Sequence, residues 1–163
     1  RQPAATDLRL VLSVSKTITD LERIGDEAEK IARLVLNLRE GGGISTYYMG
    51  MLSMGHHVRR MVRAALDAFA RMDSEAAFKI AQEDREIDAE TDAIMRYLIT
   101  YMMEDPRSIT RVLDAVLSVR AFERIGDHAR NICENVIYLV EGKDVRHVAL
   151  EQVEQELRRG GED

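Results

Sequence analysis

Glu22, Asp26, Glu123 and Asp127 belong to a five-residue word that occurs twice, Glu22-Arg23-Ile24-Gly25-Asp26 and Glu123-Arg124-Ile125-Gly126-Asp127. Residues four apart lie on nearly one face of a helix, so each copy presents two carboxylates one turn apart. Asp84 and Asp88 form a third pair with the same spacing. Like charges so placed repel unless a cation or donor is near. A glycine inside a helix adds a cost of about 1 kcal/mol relative to alanine. Both copies keep both unfavourable choices, which marks them for function. Their chemistry is that of hard-cation ligands for magnesium, manganese or calcium, and carboxylates also suit iron. The plainer alternative is a solvated face on which Arg23, Arg85 and Arg124 neutralise the acids, each pair contributing about 0–1 kcal/mol. A ferritin-like di-iron centre would show Glu-x-x-His, and that pattern does not occur.

Long helices must carry these pairs, and the composition supplies them. The 163 residues are 45% hydrophobic and 32% charged, with 5% aromatics, two prolines and no tryptophan. Such a chain favours helices over strands and is long enough for one domain with a core. The net charge is −6 and no basic block stands out, so nucleic acid is not an expected partner. Cys133 is the only cysteine, which excludes an internal disulfide and fits a reducing compartment. No apolar run approaches a bilayer span and no signal peptide is visible, so the expected location is cytoplasmic.

Four helices and a tail follow from periodicity. The first is capped by Thr6 or Asp7, runs to about Arg39 and stops at Gly41-Gly42-Gly43. Its apolar seam reads Val11, Val14, Ile18, Leu21, Gly25, Ala28, Ala32 and Val35, a bundle-forming heptad pattern. The second spans roughly Tyr47 to Met72 and buries Met51, Val58, Val62, Ala65, Phe69 and Met72, with a weak start at Gly50 and Gly55. The third, capped by Asp73, runs from Ser74 to about Met103 with Ala77, Ile80, Ile87, Ile94, Leu98 and Tyr101 inward; Asp84 interrupts that seam. The fourth, capped by Ser108, ends near Val140 before Gly142, on the seam Val112, Ala115, Val119, Phe122, Gly126, Ala129, Cys133 and Val136. A short helix from Leu150 to Arg159 ends the chain.

The fourth seam is the first displaced by 101 positions, and Ile24/Ile125 and Ile31/Ile132 match at the same offset. This is an internal repeat. Helices two to four form one three-helix unit, whereas helix one matches only the last helix of such a unit. The offset predicts its two companions before residue 1, as if the chain were cut from something longer. Helix one is then left with an orphaned apolar face that needs a partner, such as another copy of the chain. The expected divisions are 1–43 for the last helix of a first repeat, 44–144 for a complete second repeat, and 145–163 for a tail. Repetition of glycine at one seam position predicts close helix approach at Gly25 and Gly126. His56 and His57 are expected to be exposed, His128 to lie at the surface or behind the acids, and Cys133 to be a small buried residue. Met49, Met51 and Met54 are expected in the core, with an exposed docking patch as the alternative.

At both Glu-Arg-Ile-Gly-Asp words the chain resembles the PhoU family of bacterial phosphate-signalling regulators. Asp7-Leu8-Arg9, Asp67-Ala68-Phe69-Ala70-Arg71-Met72-Asp73, Tyr101-Met102-Met103-Glu104-Asp105 and Asp144-Val145-Arg146-His147 extend the likeness along the chain. The resemblance implies an all-α antiparallel bundle of two three-helix repeats, here without its N-terminal helices. It implies an acid-x-x-x-Asp motif that binds iron or zinc clusters in some members, carried over to Asp84 with Asp88, Glu123 with Asp127, and Glu22 with Asp26. It also implies a negative regulator of the phosphate-starvation response and of phosphate uptake. Such a protein is a non-enzymatic adaptor, expected as a homodimer, between the ATPase of the phosphate ABC transporter and a sensor histidine kinase. Contact with the membrane would be peripheral, through those partners. Two other readings compete: a carboxylate-cluster helix bundle that stores metal or works as a metalloenzyme, and a purely structural helical module.

Overall fold

The structure is a computed structural model that describes residues 2–40 and 46–142, with side chains described for 4–38 and 48–142. Among these residues every element is helical: α1 Gln2–Glu40, α2 Thr46–Arg71, α3 Ser74–Gln82, α4 Asp84–Glu104, a 3-10 turn Pro106–Ser108, and α5 Ile109–Glu141. The expected all-α bundle is what forms. The stop at Gly41–Gly43, the 144–147 motif and the expected 150–159 helix fall outside the described residues.

α5 is the axis of the molecule because it is apolar on two sides. Val112, Ala115, Val119, Ala129, Cys133 and Val136 are buried against α2, α3 and α4, as the seam requires. Ser118, Ala121, Ile125, Ile132, Asn135 and Leu139 are buried on a second stripe. α1 packs on α5 more extensively than any other pair of elements meets, and among the described residues its backbone comes close to no other element. The pairing is antiparallel: Glu27 meets Arg124, Asp20 meets His128, and Thr17 meets Asn135.

The face α1 turns to α5 is not the expected one. Ser13, Thr17, Asp20 and Leu38 are buried, while Val11, Val14, Ile18, Leu21, Gly25, Ala28 and Ala32 are exposed and only Val35 is half-buried. This side of α5 mixes apolar and hydrogen-bonding groups, and α1 meets it with a matching stripe, Ser13, Thr17 and Asp20 followed by Ile24, Ile31 and Leu38, while its more apolar stripe stays exposed among the described residues.

Smaller departures have local causes. α1 begins at Gln2, ahead of Thr6 and Asp7, because neither residue is obliged to stop a helix when the preceding turn continues it. Asp73 caps α3 as expected, accepting from the Ala76 N–H at 2.9 Å. Met72 is exposed rather than buried, since it takes a left-handed backbone (φ 51°) where the chain reverses after α2. Ser108 marks the start of α5 without capping it; Asp105 caps the preceding turn instead. Gly142 ends α5 at φ 69°, the conformation that favours glycine.

The single helix expected from Ser74 to Met103 is split at Glu83, whose N–H reaches Ile80 O at 3.0 Å, a tighter turn than an α-helix makes. The split places Glu83 beside His57 on α2, at 3.6 Å, and turns Asp84 inward to α5. Met51 and Met54 are core residues while Met49 is exposed, so these three make no docking patch.

Candidate functional site

Asp84 opens α4 and is 4% exposed. The Arg130 guanidinium donates from Nη1 to its Oδ2 at 2.5 Å. The other carboxylate oxygen, Oδ1, is buried without a hydrogen-bond partner. It lies over Gly126, where an added Cβ would meet Ile87 Cδ1 at 3.1 Å and Asp84 Oδ1 at 3.6 Å. Gly126 therefore lets α4 sit close on α5, and that closeness buries Asp84.

Asp127 is half-buried beside this pair. Burial pushes its carboxyl above the ordinary range; Arg130 pulls it back, and Asp88 and Glu123 push it up again. Asp84 is also raised, first by burial and then, against the pull of Arg130, by Asp127 and Asp88. The Arg130 charge is opposed by burial but held by Asp84, Glu134 and Asp127, so the guanidinium stays firmly protonated. Glu134 Oε1 is 3.5 Å from Arg130 Nε. Glu123 accepts from Arg120 at 2.8 Å. Asp84, Asp88, Glu123 and Asp127 are thus electrostatic neighbours along the α4–α5 contact, and Arg130 is the cation among them. Glu22 and Asp26 are not brought to this place. They lie exposed on α1, and a Cβ at Gly25 would meet nothing within 4 Å. The expected close approach holds at Gly126; opposite Gly25 no described helix stands.

Three polar contacts were not read from the sequence. Asp20 is buried between α1 and α5, where His128 Nδ1 donates at 2.9 Å and Asn131 at 3.3 Å. His57, expected to be exposed, is 8% exposed, with Nδ1 2.6 Å from Glu90 Oε1. A carboxylate only accepts, so it holds the ring proton on that nitrogen. Arg130 is the third. A signal existed for two of them: Asp20 and His128 fall on the second stripe that Ile24/Ile125 and Ile31/Ile132 already traced, and Arg130 borders the first seam, where it meets Asp84. Cys133 is buried as expected, and burial pushes its thiol up to about 12, so this thiol stays protonated and packs as a small buried residue.

The chain matches the family model described as the PhoU domain over residues 1–35 and 51–136. The chain belongs to the PhoU family. A phosphate-specific transport system accessory protein PhoU homolog of Pseudomonas putida is 56% identical over 158 residues, covering 97% of this chain and 62% of that protein. The Escherichia coli K12 accessory protein PhoU is 47% identical over 157 residues, 96% of this chain and 65% of that one. The chain thus spans a little under two thirds of the length of these relatives. The crystal structure of PhoU from Pseudomonas aeruginosa superposes with a TM-score of 0.83 at 55% identity, covering 88% of this chain and 68% of that one. The phosphate transport system regulatory protein PhoU from Streptococcus pneumoniae gives 0.78 at 34% identity, with 86% and 66% covered.

The PhoU domain match includes all six motif acids, so the metal clusters implied by the resemblance can be set against their geometry. Asp84, Asp88, Glu123 and Asp127 offer the oxygen chemistry of a hard-cation or iron site, and the unpartnered Asp84 Oδ1 invites positive charge. Among the described residues, however, no three His, Cys, Asp or Glu side chains converge as a metal site does, and Arg130 already supplies the cation. As placed, these residues do not fit a bound metal ion. No helix among the described residues is long and apolar enough to cross a membrane.

Proposed function

We propose that this chain is a negative regulator of the phosphate-starvation response and of phosphate uptake, acting without catalysis. It serves as an adaptor between the ATPase of the phosphate ABC transporter and a sensor histidine kinase. The observation that carries the reading is the likeness to phosphate transport accessory proteins across 97% of this chain. In this reading Asp84, Asp88, Glu123, Asp127 and Arg130 form a charge cluster that sets how α4 sits on α5, and partner binding shifts that packing through unequal affinity for its two arrangements. The open apolar stripe of α1 is the surface for self-association into a homodimer, at the inner leaflet only through partners. Residues 44–144 are taken as one complete three-helix repeat and 1–43 as the last helix of another.

The test is a pull-down from phosphate-replete cell extract with the native chain and a Glu123→Gln/Asp127→Asn variant, with metal content assayed on both. Recovery of the transporter ATPase or the kinase by the native chain is the expected result. Retention of partner by the variant would make the acids secondary to docking. Stoichiometric metal without any partner would replace the adaptor reading with that of a metal store or metalloenzyme.

A further inference from the structure

His57 is the one side chain of α2 that reaches both sides of the break between α3 and α4. It is 8% exposed, its Nδ1 donates to Glu90 Oε1 of α4 at 2.6 Å, and its Nε2 lies 3.6 Å from Oε2 of Glu83, the residue at the break. Among the described residues α1 comes close to none of these elements. With its proton held on Nδ1 by Glu90, the neutral ring offers only a lone pair at Nε2. The Glu83 carboxylate likewise only accepts. Two acceptors therefore face each other across 3.6 Å, a separation at which no hydrogen bond forms. A positive centre belongs between them.

The dimensions and the donor set select that centre. Zinc bonds an imidazole nitrogen at about 2.0–2.1 Å and a carboxylate oxygen at about 2.0–2.2 Å, which at a tetrahedral angle sets the two atoms about 3.3–3.5 Å apart. The gap found is wider by only a few tenths of an ångström. Magnesium and calcium take oxygen ligands, whereas imidazole suits zinc, copper, iron and nickel. A histidine bound to a metal almost always donates its other N–H to a carboxylate or carbonyl, which fixes tautomer and ring orientation; Glu90 already does so. The Glu83 side chain is 41% exposed, so an ion can enter from solvent. We propose that His57 Nε2 and Glu83 hold a zinc-class divalent ion, with Glu90 orienting the ring and water completing the coordination. Only two side chains reach the ion, so the site is an exchangeable clamp and not a closed structural centre. When bound, the ion ties α2 to the turn that carries Asp84 inward to Arg130. The site shares no ligand with the six motif acids and does not depend on the adaptor reading.

The probes are zinc ion, titrated by calorimetry into the untagged, chelator-stripped chain, and cobalt ion, followed by its visible absorption. One ion per chain is expected. His57→Gln and Glu83→Gln should each weaken binding at least tenfold, and Glu90→Gln by about 10–100-fold. Glu83→Gln alters a part-exposed side chain, so the melting temperature of the metal-free variant should match the native one, which separates lost binding from lost folding. Glu123→Gln/Asp127→Asn should bind as the native chain does. Nitrogen-resolved NMR of the His57 ring should place the proton on Nδ1 and show the Nε2 signal shifted by zinc. Absence of binding, binding undiminished by His57→Gln or Glu83→Gln, or binding lost in Glu123→Gln/Asp127→Asn would overturn the proposal. So would a His57 ring protonated on both nitrogens in the presence of zinc, because a proton would then fill the gap.

Discussion

Asp84 and Arg130 show how a buried charge is kept on a helix seam. Taking a carboxylate out of water is tolerable only with a close counter-charge, and here one oxygen has it while the other has nothing. Removing the cation should therefore cost more than removing both groups. Arg130→Met is expected to lower stability by about 1–3 kcal/mol, less than a fully buried pair would give because Arg130 is partly solvated. Asp84→Leu/Arg130→Met should recover most of that loss. Urea melts of the two variants check this, and a double variant as unstable as the single one would refute the account. Asp127 makes a second prediction. Unfolded, it releases its proton in the ordinary carboxylate range, about 3.9; folded, burial makes it hold the proton to higher pH. The fold binds that proton more tightly than the unfolded chain, so this group's contribution to stability falls as pH rises above the ordinary range and stays lost at neutral pH. Asp127→Asn should raise the melting temperature at pH 7 by about 1–3 °C, with the gain vanishing below about pH 4. A gain that persists or grows in acid would contradict the assignment.

At the scale of elements, the two glycine words have parted company. Gly126 faces Ile87, whereas Gly25 faces open space. Gly126→Leu is expected to destabilise by about 1–3 kcal/mol through overpacking. Gly25→Ala should stabilise by up to about 1 kcal/mol, as any alanine does in an uncrowded helix interior. Calorimetry of the pair decides it; equal shifts would mean that the α4–α5 approach is not what Gly126 serves. The α5 seam residues Val112, Ala115, Val119, Ala129 and Val136, the buried Cys133 and the Asp73 cap were all legible, because apolar periodicity and cap chemistry are local properties of a sequence. The face of α1 was not. Its apolar stripe is the stronger periodic signal, yet the stripe of Ser13, Thr17, Asp20, Ile24, Ile31 and Leu38 is what meets α5, since the choice depends on the mixed apolar and hydrogen-bonding groups of a helix about a hundred residues away. The break at Glu83 was half-visible as an aspartate on a seam. His57 was missed because its partner Glu90 lies 33 positions along the chain and no spacing rule links them.

At the scale of the whole molecule, α1 packs on α5 alone among the described residues. Leu8, Val11 and Ile18 are 60%, 64% and 59% exposed, a contiguous apolar surface of the kind that marks an interaction site. If self-association uses this stripe, Val11→Glu/Ile18→Glu should convert a dimer to a monomer in sedimentation velocity while the helical circular dichroism is unchanged. A dimer that survives both substitutions would place the contact elsewhere. The regulatory account makes a larger claim, that one small bundle joins a transporter ATPase to a kinase. Sedimentation of the purified chain with the ATPase subunit and the cytoplasmic part of the kinase tests it most directly. The account predicts a faster boundary containing all three proteins that is absent when this chain is omitted. Migration of the chain alone, with neither partner, would contradict it.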